Sequence, residues 1–169
     1  MNKMKEIRVE KVTLNIGVGE AGEKLKKAIK LLANLTGEKP NEAKSKGRIP
    51  TWGLRPGLPI AAKVTLRNAK AEKMLKRLFT AANNKISAKK FDNAGNFSFG
   101  LKEYIEIPEA KYDPEVGIIG LETAVTLQRP GFRVKRRTIR PARVGKTHRI
   151  SKDEAITFIK EKFNVEVTE

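Results

Sequence analysis

The sequence predicts one α+β domain: a mainly antiparallel sheet with helices packed on one face, an open basic face on the other, and a long basic Gly/Pro loop. Three observations point there. Four short stretches (9–18, 60–67, 97–101 and 123–129) alternate apolar and polar side chains, the period of strands buried on one side only. Three longer stretches space their apolar residues at helical intervals but do not complete the βαβα series of a doubly wound parallel sheet. The polar side of the first two strands carries cations and hydroxyls, which leaves that face open to solvent or to a ligand.

In the first strand Val12, Leu14, Ile16 and Val18 form the apolar set, and Lys11, Thr13 and Asn15 the polar one. Gly17-Val18-Gly19 ends it. A helix follows with Leu25, Ala28, Ile29, Leu32 and Leu35 on one stripe; Lys24, Lys26, Lys27 and Lys30 lie largely off it, and Gly37 supplies the stop. A short extended piece, 40–45, leads into residues 46–59, too rich in Gly and Pro for a helix or a central strand. In the second clear strand Ile60, Ala62, Val64 and Leu66 point one way, and Ala61, Lys63, Thr65 and Arg67 the other.

Asn68 stands where it can cap the next helix, whose apolar set is Ala71, Met74, Leu75, Leu78, Phe79 and Ala82 and which Asn83-Asn84 should end. Asn93-Ala94-Gly95-Asn96 reads as a turn into a strand carrying Phe97, Phe99 and Leu101. A further strand is expected over 104–107, before Pro108, and a turn or helix start at Tyr112-Asp113-Pro114. The last alternating strand, 123–129, ends at Pro130-Gly131. A capping box, Ser151 to Glu154, opens a C-terminal helix (151–164) bearing Ala155, Phe158, Ile159 and Phe163.

The 169 residues suffice for one domain with a real core, and 1–169 is read as a single unit. A net charge of +17, with 33% charged residues, exceeds what solubility needs and points to a polyanion, nucleic acid ahead of an anionic membrane. No apolar run is long enough to span a bilayer, and the first residues lack the apolar core of a signal peptide, so the cytoplasm is expected. Cysteine is absent and histidine occurs once, which rules out disulfides and leaves no ligand set for zinc; no metal or cofactor is expected.

The cations are unevenly spread. Residues 43–71 contain no acid but hold Lys44, Lys46, Arg48, Arg55, Lys63, Arg67 and Lys70. Between Glu122 and Asp153 acids are again absent, and Arg133, Lys135, Arg136, Arg137, Arg140 and Arg143 make a basic arm, 133–149. If the first two clear strands share a sheet, Lys11, Thr13, Asn15, Lys63, Thr65 and Arg67 form one polar face. Lys and Arg neutralise phosphates there, while Thr and Asn bond phosphate or ribose hydroxyls. That face has no aromatic pair to stack bases, so recognition of a folded RNA by shape and backbone fits better than a single-strand platform. Trp52, between Pro50 and Arg55, is either a core residue or an exposed loop tip.

Signals for enzyme chemistry are weaker. Gly17-Val18-Gly19-Glu20-Ala21-Gly22 is a literal G-x-G-x-x-G between strand and helix, the turn that admits pyrophosphate in dinucleotide folds. Against it, the preceding strand alternates, and Glu20 and Glu23 would stand where phosphates should sit. Gly145-Lys146-Thr147 resembles the tail of a P-loop, but Arg140 occupies the position of the earlier glycine. His148 lies in a basic run and reads as a surface histidine near phosphates. The acids from Glu103 to Glu115 read as solvated surface or a contact to a basic protein. A small nucleotide-binding enzyme built on Gly17 to Gly22, and a non-specific basic nucleic-acid binder, are the alternatives.

Several ordered motifs resemble one family. Lys11-Val12-Thr13-Leu14-Asn15-Ile16-Gly17-Val18-Gly19-Glu20 is similar to the first-strand signature of the large-subunit ribosomal protein that binds 5S ribosomal RNA, L-five in bacteria and archaea and L-eleven in eukaryotes. Gly37-Glu38-Lys39-Pro40, Leu54-Arg55-Pro56-Gly57-Leu58-Pro59-Ile60 and Lys63-Val64-Thr65-Leu66-Arg67 resemble its next segments. So do Asn96-Phe97-Ser98-Phe99-Gly100-Leu101, Tyr112-Asp113-Pro114, Gly117-Ile118-Ile119-Gly120 and Arg129-Pro130-Gly131. The match covers nearly the whole chain. The 133–149 arm and the capped helix depart from the bacterial pattern and resemble the archaeal or eukaryotic form, archaeal by the short chain.

The resemblance implies that the sheet face binds 5S ribosomal RNA and anchors it in the central protuberance, with Lys11, Asn15, Thr65 and Arg67 where the family contacts that RNA; the strand alternation and the acid-free run add Thr13, Lys63 and Lys44 to the expected 5S ribosomal RNA site. It implies that the 46–59 loop, with Lys46, Arg48, Trp52 and Arg55, reaches the elbow of P-site tRNA; its composition suits a loop mobile alone and ordered on contact. It further implies 23S-type ribosomal RNA and neighbouring 5S-binding ribosomal proteins as partners, and a bridge to a protein of the small-subunit head; the acidic run is our own candidate for that bridge, and the partner of the arm, ribosomal RNA by its charge, is left open.

Overall fold

The computed structural model describes residues 2–168. Its strands are β1 (Arg8–Gly17), β2 (Asn41–Lys44), β3 (Pro59–Arg67), β4 (Lys85–Ser87), β5 (Phe97–Leu101), β6 (Leu121–Gln128) and β7 (Glu166–Thr168). Five of them form the central antiparallel sheet, in the order β2-β3-β1-β6-β5. The alternation dictates the layering: Val12, Leu14, Ile16, Ala62, Val64, Leu66, Val125 and Leu127 are all buried on one side.

That side is covered by α1 (Glu23–Thr36) and α2 (Asn68–Ala81). In α1 the buried stripe is Leu25, Ala28, Leu31, Leu32 and Leu35; Leu31 takes the place expected of Ile29, which is half-buried. Gly37 ends α1 in the left-handed region, and its N–H closes on the Ala33 carbonyl. In α2 Phe79 stacks near Phe97 and Phe99, with ring centroids 6.2 and 5.7 Å away. The C-terminal α3 (Lys152–Phe163) has its full capping box, the Glu154 N–H donating to Ser151 Oγ and the Ser151 N–H to Glu154 Oε2.

Two expectations are corrected. Asn68 does not cap α2; it opens the helix with φ 54° and its side chain bonds to nothing among the described residues. Residues 104–107 form no strand. Tyr104–Glu106 is a 3-10 turn, because the buried Tyr104 pins the chain under the sheet, its N–H on Ile119 O and its hydroxyl accepting the Asp113 N–H. The short strands β4 and β7, absent from the sequence reading, pair in parallel apart from the central sheet.

Candidate nucleic-acid interface

The face of the sheet away from the helices is organised by strand register. Lys11 of β1 lies opposite Arg67 of β3, Thr13 opposite Thr65, and Asn15 opposite Lys63. On the other flank of β1, Lys11 pairs with Thr126, Thr13 with Ala124 and Asn15 with Glu122, and β5 adds Ser98 beside Ala124. Three rows result. Cations Arg67 and Lys11 lead the first, the small and hydroxyl side chains Thr65, Thr13, Ala124 and Ser98 the second, and Lys63 with Asn15 the third. Adjacent strands are about 4.8 Å apart and the outer rows four residues, or about 13 Å, from each other. The two threonine hydroxyls stand 3.5 Å apart. The six sheet residues expected to share a polar face therefore do so, and Lys44 lies on the adjoining edge strand β2.

Some of these groups are already engaged. Asn15 Nδ2 donates to Glu122 Oε2 at 3.2 Å, which fixes its carboxamide and places one acid in the third row. Arg67 Nη1 lies 3.3 Å from Glu10 Oε1, and Arg136 Nη1 and Nη2 donate to Oε1 and Oε2 of the same carboxylate. Sequence reasoning misses Glu10: it lies at the bulge between Val9 and Lys11, in phase with Val12 and Leu14, and its side chain is 2% exposed against Arg67 and Arg136. Burial, the largest single influence, raises the Glu10 carboxyl; the hydrogen bonds and charge of Arg136, with Arg67 behind it, outweigh burial and hold it below the usual carboxylate range. Arg136 is correspondingly raised, chiefly by its hydrogen bonds to Glu10.

The basic arm is thus tied to the sheet at Arg136. Beyond that point Arg137 Nε donates to Arg140 O at 2.7 Å and the Ala142 N–H to Val134 O at 3.2 Å, closing a compact loop in which Arg140 has φ 49°. The side chains of Arg133, Lys135, Arg140 and Arg143 have no partner among the described residues and are exposed. His148 is not a free surface group: it is half-buried, its Nε2 2.8 Å from Pro130 O and its ring edge-on to Phe132. Arg129, at the root of the arm, is a buried tie and not a ligand group. It donates to Lys5 O, Arg149 O and Glu154 Oε1 at 3.0, 3.0 and 2.8 Å.

The 46–59 loop is a small hairpin. Ile49 and Leu54 exchange N–H···O bonds of 3.0 and 3.1 Å around a 3-10 turn, Pro50–Trp52, which Gly53 leaves with φ 65°. Leu54 is buried and Trp52 is 71% exposed, so the tryptophan is the loop tip and not core. Lys46, Arg48 and Arg55 of the same loop are exposed and without partners among the described residues.

The glycine turn is poorly built for a pyrophosphate. The N–H groups of Val18 and Gly19 are both spent on Ile60 O, at 3.0 and 2.9 Å, and β1 has antiparallel neighbours on both sides. Glu20 meets Lys24 at 2.7 Å across the start of α1. The acids of 103–115 are partly committed within the molecule: Lys30 Nζ lies 3.1 Å from Asp113 and 2.7 Å from Glu115, and Arg77 lies 3.6 Å from Glu109. Among the described residues no group of three His, Cys, Asp or Glu could hold a metal ion, and no helix is long and apolar enough to cross a membrane.

Comparison with known proteins agrees with this architecture. Residues 2–55 match the model of ribosomal protein L5, and residues 59–158 match the model of the C-terminus of the same ribosomal family. The large ribosomal subunit protein uL5 of Nanoarchaeum equitans is 56% identical over 165 residues, 97% of each chain. That of Sulfurisphaera tokodaii is 51% identical over 170 residues, 100% of this chain and 96% of its own. That of Methanosphaera stadtmanae is 46% identical over 167 residues, 99% of each. With both halves of the family matched and full-length relatives this similar, the chain belongs to the ribosomal protein L5 (uL5) family.

Proposed function

We propose that this chain, as a structural constituent of the large ribosomal subunit, binds 5S ribosomal RNA with the open sheet face and anchors it in the central protuberance. The observation that carries the reading is the row pattern: cations at Arg67, Lys11 and Lys63 flank a strip of small and hydroxyl side chains. Cations neutralise phosphates and supply affinity; short hydroxyls let an RNA backbone approach closely and bond its 2′-hydroxyls. The family is structural and not enzymatic, and the spent amides of the glycine turn argue against the nucleotide-using alternative. The arm offers Arg133, Lys135, Arg140 and Arg143 to 23S-type ribosomal RNA, and the Trp52 tip with Lys46, Arg48 and Arg55 suits contact with P-site tRNA. A bridge from the acidic run to a small-subunit head protein rests on Glu103 and Glu106, which keep no cation partner among the described residues.

The test is a titration with 5S ribosomal RNA in rising salt against an equal-length tRNA competitor. The expected result is a preference for the 5S RNA that survives near physiological salt, since a built face reads shape. Equal binding of both RNAs, lost together as salt rises, would leave counterion release by the +17 charge as the whole effect and make this a non-specific basic binder.

A further inference from the structure

β5 pairs with β6 only as far as Phe97 opposite Val125. Past that point the outer edge of β6 has no strand beside it among the described residues, and the chain fills the space with the 93–96 turn on one side and the arm on the other. Between them lies a cavity of about 710 Å³, within the range that holds a small organic ligand. Its apolar lining includes Leu127, Phe132, Val144 and Ile150. Its charged lining is Lys135, Arg136, Arg143 and Arg149, with no carboxylate among the residues that form it.

We propose that this cavity receives one unstacked nucleotide of a bound RNA, its base against the apolar lining and its phosphates on the arm's cations. The proposal rests on the reading that the chain binds RNA, and it adds a site for a base to a face that otherwise meets backbone. Four features support it. Charge complementarity selects an anion, since Lys135, Arg143 and Arg149 have no carboxylate partner among the described residues and only Arg136 is paired, with Glu10. The apolar lining with the Phe132 ring selects a ligand that also has a flat, poorly solvated part, which inorganic phosphate and a carboxylate lack. Asn93, which also lines the cavity, has a carboxamide without a partner among the described residues, so both its donor and its acceptor are available to a base edge. The cavity is also continuous with the open face: Thr126, part of its lining, is the register partner of Lys11 in the first cationic row.

The wall is firm where it needs to be. Arg136 is held by the buried Glu10 carboxylate, which leaves its guanidinium plane fixed beside the cavity, and such planes stack on bases. An acidic segment of a neighbouring protein would satisfy the cations but would leave the Asn93 amide and the aromatic wall without a purpose; it is the competing outcome.

The test uses the full chain with labelled methyl groups. Adding a nucleoside monophosphate should shift the Leu127, Val144 and Ile150 methyl resonances with the pattern of an aromatic ring current. Inorganic phosphate and an oligoglutamate peptide at equal charge should not. Val144→Trp, which fills the space, and Asn93→Ala, on an exposed turn, should each weaken the nucleotide effect on the order of 10-fold. Identical shifts from phosphate would reduce the site to a cationic rim, shifts from the peptide would assign it to a protein, and no shift would end the proposal. Binding of 5S ribosomal RNA separates the two readings. If wild type prefers that RNA and Val144→Trp binds it equally well, the cavity proposal falls and the sheet-face reading stands. If wild type shows no preference, the sheet-face reading falls, and the mononucleotide titration still decides the cavity.

Discussion

Arg136 donates both terminal nitrogens of its guanidinium to the two carboxylate oxygens of Glu10, 126 residues earlier in the chain. The acid is almost fully buried and the arginine half-exposed, so the contact does two things at once. It satisfies a charge buried on β1, and it fastens an arm that has no apolar stripe of its own to the edge of the basic face.

Removing the arginine should therefore cost more than removing the charge from both sides. Arg136→Ala leaves a buried carboxylate with Arg67 alone, and the expected loss in urea unfolding is about 2 kcal/mol, discounted because the arginine is half in water. Glu10→Gln keeps the shape and should cost about 1 kcal/mol. In the Glu10→Gln background Arg136→Ala should add little. An Arg136→Ala protein as stable as wild type would show the pair to be decorative.

The same contact sets an acid limit. Glu10 is held below its unfolded value because its arginines outweigh burial, and Glu154 is lowered first by the Ser151 backbone N–H and then by Arg129. A carboxyl whose folded pKa is depressed contributes stability that is complete above its unfolded pKa, roughly 4.3 for Glu, and is lost as pH falls through the lower folded value. Thermal midpoints should thus fall on acidification through and below that range. The Glu10→Gln, Glu154→Gln double variant should be less stable at neutral pH and flatter in its acid profile; a profile parallel to wild type would place the acid sensitivity elsewhere.

Residues 9–18 and 60–67 show why most of the fold was legible and where legibility ended. A period of two in burial is written directly in Val12-Thr13-Leu14-Asn15-Ile16, so the strands and their exposed faces followed from the sequence, whereas the register that sets Lys11 opposite Arg67 did not. The Glu10 ion pair did not, because its partner Arg136 lies 126 residues further on and no local pattern marks either of them. The β4–β7 pair is three residues per strand, too short for any period to register. The arm is hardest of all: its order comes from guanidinium–carbonyl bonds such as Arg129 to Lys5, which join residues 124 apart and require nothing of the local sequence.

Arg129 is the clearest case of a cation that charge counting misreads. Its three nitrogens reach Lys5 O, Arg149 O and Glu154 at the base of α3, with the side chain 7% exposed. A lysine offers one nitrogen where three directions are needed, so Arg129→Lys should be nearly as damaging as Arg129→Ala, each by about 3 kcal/mol. Hydrogen exchange should show α3 and the 146–150 segment opening first. Full protection in Arg129→Lys would mean one contact suffices.

Gly95 should be irreplaceable for a steric reason. It has φ +76°, and an added Cβ would lie 2.6 Å from Ile150 Cγ2, a fully buried side chain, and 3.4 Å from Ala155 Cβ. Backbone strain and overpacking together predict a loss of about 2–4 kcal/mol for Gly95→Ala. Gly145→Ala, with φ −55° and open space around the new methyl, should stay within about 0.5 kcal/mol of wild type. Comparable melting temperatures for the two variants would contradict the packing of α3 on the 93–96 turn.

The loop tip separates stability from binding. Leu54 is buried and closes the hairpin with Ile49, whereas Trp52 projects from the turn between them, its ring in solvent. Leu54→Ala should therefore destabilise the loop, while Trp52→Ala should leave the unfolding free energy within about 0.5 kcal/mol of wild type. An indole kept in water at that site gains nothing for the free protein. If it stacks on RNA, its loss should weaken tRNA contact in reconstituted large subunits on the order of 10-fold without altering 5S ribosomal RNA affinity, because the sheet rows are untouched. Equal tRNA contact in Trp52→Ala and wild type would assign the tip's role to Arg48, Arg55 and Lys46 alone, and the effect of replacing those cations should then fade as salt rises, which stacking would not.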